Sequence, residues 1–593
     1  NRCRRQRQMC IRDRETTAKE KLPMVKKFLK TLFLFIILFP VFGNSEIVKG
    51  KTITSNHSMV VTRHYIASEV GNQILLDGGN AIDASVAVSF ALSVVLPQAS
   101  PIGGGGFMVI HDKSTGTNHA LDYREMAPEK ATEDMFIVDG EVDRELALYS
   151  YQSSGVPGTV YGLYIAHQKF GLLPWKQLIE PAIRLAKDGF IISETLGKTF
   201  ESYKDKLNKS PDGKEIFFND GTILKSGELL IQKDLAKTLN LIAQKGAAGF
   251  YKGSTAQKIH LDMQKNGGLI TSSDLMNYRA KFRLPIEFAY KDLSIATMPL
   301  PSSGGLILAL MLNMIEHLEL DLSDPHSVEN IQKISEIMQI AYSLRSIHMG
   351  DSDFYKVPED EFLSKKKAKD LLKNINLTRM SNAEDYDPVK FKFKENTTHY
   401  SIADSSGNIV STTTTLNTAF GSGIVIKDTG ILMNNEMDDF SASPNQPNYF
   451  GLLGTHANRI EPFKRPLSSM TPTIVFKDNK PYLVTGAQGG SRIITAVLQV
   501  ILNYYEFGLS PEESVYKPRY HHQWLPEHLM YEFFDDKLIE KLQEKDFILY
   551  QRPSTYDFSN GITSSIMFED DYLIGVSDFR SDDFLSIGVN KNE

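Results

Sequence analysis

Two hydroxyl-rich strings in this chain of 593 residues hold residue types that could do chemistry: Asn396-Thr397-Thr398-His399-Tyr400-Ser401 and Ser411-Thr412-Thr413-Thr414-Thr415-Leu416-Asn417. A threonine hydroxyl is a weak nucleophile until a base takes its proton, and the familiar signatures of such a base are missing. There is no Gly-x-Ser-x-Gly elbow, so an α/β-hydrolase serine is not supported. There is no His-Glu-x-x-His helix, and the adjacent His521 and His522 would point to opposite sides of a strand, which reads as packing rather than as a metal site. The run Gly103 to Gly106 has the glycine content of a phosphate loop, but a strand follows it where a helix would be needed, so tight backbone packing is the better reading. On composition alone the threonines are a β-branched hairpin, with Asn396-Thr397-Thr398 as a chance glycosylation sequon.

The elements around these strings follow from periodicity and punctuation. Ala67 to Leu96 reads as two helices, the first stopped by Gly78 and Gly79 and the second by Pro97. Phe107 to His111 and His119 to Tyr123 read as paired strands around a polar turn. Residues 158 to 345 read as mainly helical, with amphipathic segments at Thr159 to Phe170 and Leu178 to Lys187. Ser364 to Asn396 is polar, opens on Lys365-Lys366-Lys367 and reads as an exposed connector of the kind that tolerates cleavage. Beyond it, Thr398 to Ala403 and Asn408 to Thr415 flank Asp404-Ser405-Ser406-Gly407, a hairpin turn by composition. Thr473 to Lys477 and Pro481 to Thr485 form a second strand pair, and Ser491 to Tyr505 reads as a helix. Two groups of strands with helices on either side predict layered α+β sheets packed face to face.

Hydrophobic residues at 41% and charged residues at 23% exclude collagen-like, disordered and multi-spanning classes. The first 43 residues stand apart. Met24 opens a basic stretch with Lys26, Lys27 and Lys30, followed by an uncharged run from Thr31 to Ser45 with Gly43 near its end, the layout of a secretory signal. That run of 15 residues is shorter than the roughly 20 that a spanning helix needs. Cleavage near Gly43 is therefore expected, with no stable membrane anchor afterwards and a periplasmic or secreted product. The Arg-rich residues 1–23 resemble read-through upstream of a start at Met24. Residues 44–593 hold 54 Lys and Arg against 69 Asp and Glu, a balance of −15, so nucleic acid is not an expected partner. Cys3 and Cys10 both fall in the leader, which leaves the mature chain without a disulfide, thiolate nucleophile or cysteine metal ligand.

A series of ordered strings overturns the bland reading of the threonines. Gly78-Gly79-Asn80-Ala81-Ile82-Asp83-Ala84, Gly103 to Met108, Asp122-Tyr123-Arg124-Glu125-Met126-Ala127-Pro128 and Pro301-Ser302-Ser303-Gly304-Gly305 come first. Thr397 to Ser401, Leu416 to Gly423, Asn434 to Phe440, Lys464 to Pro472, Gly489 to Ile494 and His521 to Pro526 follow. Along nearly the whole chain after Gly50, these strings resemble the γ-glutamyltransferases (glutathione hydrolases) of the N-terminal nucleophile hydrolase superfamily.

The resemblance implies a four-layer αββα sandwich and a precursor that cuts itself between Asn396 and Thr397. The products would be a large subunit of 44–396 and a small catalytic subunit of 397–593, intertwined in one body. The freed α-amino group, with a reference pKa of about 7.7 to 8.0, would take the Thr397 proton itself, which suits a chain with no evident triad. By the same resemblance Thr415 hydrogen-bonds the Thr397 hydroxyl, and the N–H groups of Gly489 and Gly490 form the oxyanion hole. Arg124, Ser468 and Ser469 would hold the α-carboxylate of a γ-glutamyl group, and Asn417, Glu436 and Asp439 its α-ammonium. The acyl group of glutathione or another γ-glutamyl compound would pass to water, an amino acid or a dipeptide, with no metal or organic cofactor. One rival is a glutaryl-type acylase of the same architecture, which would not need the ammonium set. The other is a secreted binding protein without catalysis, against which Thr397, Thr415, Gly489 and Gly490 count. Gln488 and Phe579 replace prolines common in the family. Phe450 stands in a lid, Pro444 to Arg459, where relatives have a Tyr whose hydroxyl bonds the asparagine matching Asn417; Tyr449 supplies that hydroxyl if the loop register shifts by one.

Overall fold

The computed structural model describes residues 45–99, 101–375, 380, 395–443, 446–553 and 559–591. The expected leader and most of the expected connector lie outside them. Ile47–Asn590 forms one unit, and Asn1–Glu46 with Lys591–Glu593 another; the first carries both large sheets. In one sheet Leu585–Lys591, Ser58–Thr62, Glu395–Ala403, Ile409–Thr418, Gly105–Asp112, Thr117–Asp122 and Lys281–Arg283 are successive neighbours. In the other the order is Ile286–Tyr290, Leu293–Thr297, Thr473–Lys477, Lys480–Thr485, Ile562–Glu569, Tyr572–Ser577 and Thr52–Ser55.

Side chains alternate across a strand, so each strand serves two layers. Met59 and Val61 meet Ile474, Phe476, Val484 and Ile566 between the sheets. Val60, between them in sequence, packs outwards with Ala67 and Ile74 of helix Tyr65–Leu76 and with helix Ala81–Val95. The second sheet does the same in mirror image: Ala296 faces the first sheet, whereas Ile295 packs with helices Gly304–Ile315, Val328–His348 and Ile493–Ile501. Helix, sheet, sheet and helix make the expected αββα body. Among the described residues no single helix is long and apolar enough to cross a membrane.

Several boundaries follow from local chemistry. Asn80 and Asp83 form a capping box that starts the second helix, and helix Thr159–Phe170 has its expected bounds. The stretch 158–345 is less helical than its composition predicts, because Lys281–Arg283, Ile286–Tyr290 and Leu293–Thr297 are strands. The hairpin joining the last two has no Gly or Asn at its turn; Lys291 takes the left-handed backbone there, with φ 51°. The lysine run at 365–367 is the first turn of helix Lys365–Leu371, capped by the Ser364 side chain, rather than loop. The segment predicted as one helix from Ser491 is a short 3-10 turn, the α-helix Ile493–Ile501 and a π turn at Leu502–Glu506.

Candidate active site

Thr397 and Thr415 are direct partners on neighbouring antiparallel strands, so their side chains leave the sheet on the same face. Their hydroxyl oxygens lie 3.3 Å apart, and Thr415 Oγ1 accepts the Asn417 N–H at 2.8 Å. The strand register slips between Glu395 and Thr397, which puts an irregularity at the Asn396–Thr397 bond; such bulges re-aim side chains and interrupt pairing. Among the described residues, the hydrogen-bond partner of the Thr397 hydroxyl is another hydroxyl, neither an imidazole nor a carboxylate. His399, two residues on, is engaged with Thr413 and Ser401 at 2.8 and 3.2 Å, and burial pulls its pKa down to about 3. A base for Thr397 must come from elsewhere, and its own α-nitrogen is held within reach by covalent geometry.

The glycine run behind this hairpin does what tight packing requires. A Cβ at Gly104 would lie 1.9 Å from the Thr415 carbonyl oxygen, and one at Gly106 would lie 2.4 Å from that of Thr413. Only glycine lets Gly105–Asp112 close against the strand that carries Thr415. Arg63 donates to the Thr397 carbonyl from the other side.

Thr397 and Thr415 open into a narrow cavity of about 20 Å³ that Arg124, Asn417, Glu436, Asp439, Ser468, Ser469, Phe450 and Gly490 also line. Gly489 precedes Gly490 with φ 139°, a backbone that L side chains rarely adopt. Asn396 precedes Thr397 in the strand, and Tyr449 is not among the lining residues. The Arg124 guanidinium is fully engaged: it donates to Glu436, to Asp439 at 2.5 Å and to the Pro466 carbonyl at 3.2 Å, with Glu125 Oε2 3.6 Å away. Burial works against its charge, but Glu436 and Asp439 outweigh that and hold its pKa above the ordinary value. One guanidinium cannot neutralise three buried carboxylates. Burial accordingly raises Glu436 well above the usual carboxylate range and pushes Glu125 up to about 7, against the opposing pull of Arg124. Asn417 Oδ1 and Glu436 Oε2 are buried with no hydrogen-bond donor among the described residues, the condition in which a donor-rich ligand gains most.

The Pro301–Gly305 string brackets the serines. Ser303 donates to the Ser468 carbonyl through both its N–H and its hydroxyl, at 2.8 and 2.7 Å, and the Ser468 N–H returns to the Pro301 carbonyl at 2.8 Å. Sequence reasoning missed Arg345, which lines the cavity and donates to Ser303 Oγ at 2.9 Å and Ser469 Oγ at 3.2 Å. The signal was present. Ile331, Ile334, Met338, Ala341 and Arg345 recur at three- and four-residue spacing along helix Val328–His348, so the arginine occupies a core position of an apolar stripe.

Over this cavity lies the loop that carries Phe450; the first two residues of the predicted lid, 444 and 445, lie outside the described residues. The Phe450 ring sits so close to Gly490 that a Cβ there would meet it at 2.5 Å. The loop is pinned at several points. Asn448 Oδ1 accepts the N–H groups of Phe450 and Leu452, each at 3.0 Å, Asp438 accepts the Tyr449 N–H at 2.8 Å, and Gln523 donates to the Phe450 carbonyl at 3.0 Å. His521 supports the same region through Thr495 and Gln523, at 2.8 and 3.0 Å.

An αββα sandwich with a threonine near the head of an inner strand is the architecture of the N-terminal nucleophile hydrolases. Residues 67–587 match the family described as Gamma-glutamyltranspeptidase. A glutathione hydrolase proenzyme of Escherichia coli (strain K12) is 44% identical over 542 residues, 90% of this chain and 92% of that protein. One of Bacillus subtilis (strain 168) is 39% identical over 550 residues, 90% and 91% of the two chains. The chain belongs to the γ-glutamyltranspeptidase family. Among solved structures, a cephalosporin acylase from Bacillus halodurans matches with a TM-score of 0.81 at 26% identity, over 93% of this chain and 98% of that one. Helicobacter pylori γ-glutamyltranspeptidase matches with a TM-score of 0.53 at 43% identity, over 55% of this chain and 94% of that one.

Proposed function

We propose that the protein is a γ-glutamyltransferase and glutathione hydrolase that hydrolyses its own Asn396–Thr397 bond and then uses Thr397 as its nucleophile. The observation that carries this reading is the charge balance of the cavity. Its lining holds two cations, Arg124 and Arg345, and two carboxylates, Glu436 and Asp439, beside the unsatisfied acceptor Asn417 Oδ1. A γ-glutamyl group presents one carboxylate and one ammonium on a single carbon, so its head group is neutral overall and brings donors for the acceptors that lack them.

The chemistry then needs no further group. The freed α-amine takes the Thr397 hydroxyl proton, Oγ1 adds to the γ-carbonyl carbon, and the N–H groups of Gly489 and Gly490 receive the oxyanion. Collapse expels the amine with the transferred proton and leaves a γ-glutamyl ester on Thr397. Water releases glutamate from that ester, and the amine of an amino acid or dipeptide gives a new γ-glutamyl amide. Thr415 orients the attacking oxygen; Ser468 and Ser469 complete the carboxylate site. Strands from either side of residue 397 are interleaved in the first sheet, with Ser58–Thr62 between Leu585–Lys591 and Glu395–Ala403, which supports two fragments, 44–396 and 397–593, that stay together after cleavage. The basic and apolar layout of residues 24–45 supports export, to the periplasm or beyond.

The cephalosporin acylase match favours one second reading, an acylase for glutaryl side chains. A glutaryl group has no ammonium and would leave Glu436, Asp439 and Asn417 without their ligand, which a site built to hydrogen-bond rejects strongly. Mature protein incubated with glutathione should yield glutamate and cysteinylglycine, and a γ-glutamyl dipeptide product when a dipeptide is added, all identified by mass spectrometry. A glutaryl amide should react at least about a hundredfold more slowly; faster cleavage of the glutaryl compound would make the acylase reading the right one.

A further inference from the structure

We propose that Arg63 is a positioning residue for the nucleophile: its buried guanidinium, held on the Thr397 carbonyl, keeps the freed α-nitrogen of Thr397 in its uncharged, proton-accepting form at neutral pH. The inference rests on the reading in which that nitrogen is the base. Arg63 joins strand Ser58–Thr62 to helix Tyr65–Leu76, and its side chain is fully buried. It donates to the Thr397 carbonyl. It does so from the edge of strand Glu395–Ala403 that faces Ser58–Thr62, which pairs with Ser401 to Ala403 and stops short of Thr397. In an antiparallel ladder a residue's N–H and C=O leave the strand on one edge, and that edge alternates from residue to residue. The His399 carbonyl, two residues on, leaves on the same edge as that of Thr397 and accepts from Ser564. The Thr397 nitrogen therefore lies on the Arg63 edge, about 3 Å from its own carbonyl oxygen in extended backbone and so within about 6 Å of the guanidinium. A like charge at that range disfavours the ammonium form. The ordinary pKa of an α-amine, about 7.7 to 8.0, leaves most of it protonated at pH 7, and a protonated amine cannot take the Thr397 proton.

The other charged groups around Thr397 are of mixed sign or further along the strands. Burial, with Arg63 adding to it, pulls His64 down to about 3, and burial does the same to His399, so both imidazoles are neutral. On the cavity side Arg124 and Arg345 stand with Glu436 and Asp439, and Glu125 lies behind Arg124. Lys206 bonds Thr418, three residues past Thr415 on the neighbouring strand. Asp583 is the group that opposes Arg63: burial raises its carboxyl, and the Ser193 hydroxyl and Arg63 pull it back, with Asp582 and Lys51 acting on it in turn. Arg63 and Asp583 should therefore move the Thr397 amine in opposite directions.

The test is the pH dependence of kcat/KM for γ-glutamyl-4-nitroanilide, whose acid limb reports the base of the free enzyme, with cleavage of each preparation checked by intact mass. In wild type that limb should lie below the ordinary α-amine value of about 7.7. Arg63→Gln keeps a donor for the Thr397 carbonyl and removes the charge, so the limb should move up by about one pH unit. Asp583→Asn removes the opposing charge and should move it down. Glu125, pushed up to about 7, is the other group that could set the limb; a limb of that origin would stay in place in both variants. Should Arg63→Gln remain uncut, wild type and Asp583→Asn decide. A wild-type limb at or above about pH 8, a limb unmoved in cleaved Arg63→Gln, or one that stays or rises in Asp583→Asn would each overturn the proposal. Wild-type protein that is active while uncut, or that does not turn over the anilide, would instead overturn the reading on which the proposal rests.

Discussion

Arg124 uses all of its guanidinium nitrogens on Glu436, Asp439 and the Pro466 carbonyl, and so holds the acidic pair in place. Its replacement leaves two or more carboxylates buried without a cation, and losing one partner of a buried charged pair typically costs about 2 to 5 kcal/mol. Arg124→Ala should raise KM for γ-glutamyl substrates by roughly 30-fold or more and lower the unfolding temperature as well. Arg124→Lys should recover little, because a single ammonium cannot reproduce the fork. A KM within threefold of wild type in Arg124→Ala, measured below its unfolding transition, would show that neither substrate nor the acidic pair depends on this guanidinium. At this scale the sequence was legible where function had left ordered strings, as around Arg124, Glu436 and Ser468. Arg345 was not, because a lone arginine on a helix reads as a solvated side chain until its position on the apolar stripe is counted.

Elements were legible where turn chemistry and alternation agree. The hairpin around Asp404–Gly407 has both, and its strands extend slightly beyond the predicted ends, to Glu395–Ala403 and Ile409–Thr418. The hairpin Ile286–Thr297 has the alternation but turns on Lys291-Asp292, so its sequence gives no stop signal and the neighbouring helical pattern dominates. The loop around Phe450 is an element whose behaviour can be tested. The ring covers Gly490 and lines the cavity, whereas Asn417 Oδ1, on the same cavity, has no donor among the described residues. Phe450→Tyr offers that acceptor a hydroxyl, and a neutral hydrogen bond contributes about 0.5 to 1.5 kcal/mol net. The closed loop should therefore be favoured by roughly two- to tenfold, with slower entry of water and bulky acceptors and a changed ratio of hydrolysis to transfer. Adding Asn417→Ala should cancel the change. If Phe450→Tyr alters nothing while Tyr449→Phe shifts the product ratio, Tyr449 is the residue that closes the site.

For the whole molecule, layer order was legible from the two groups of strands, whereas the intertwining of the chain came only through the family resemblance and not from pattern, since strand order is set by contacts between residues hundreds of positions apart. The strand that holds Thr397 lies between Ser58–Thr62 and Ile409–Thr418, so cutting the chain at its head removes no strand from the sheet and leaves each fragment threaded through the other. The proposed base exists only once that cut is made. The most direct test is the intact mass of purified protein under denaturing conditions, wild type beside Thr397→Ala, with activity measured on the same samples. Wild type should give two masses, a large fragment beginning near residue 44 and ending at Asn396 and a small one beginning at Thr397, from material that migrates as one species when native. Thr397→Ala should give one uncut chain without activity. Full activity in a wild-type preparation whose only mass is that of the chain uncut between 396 and 397 would contradict the mechanism.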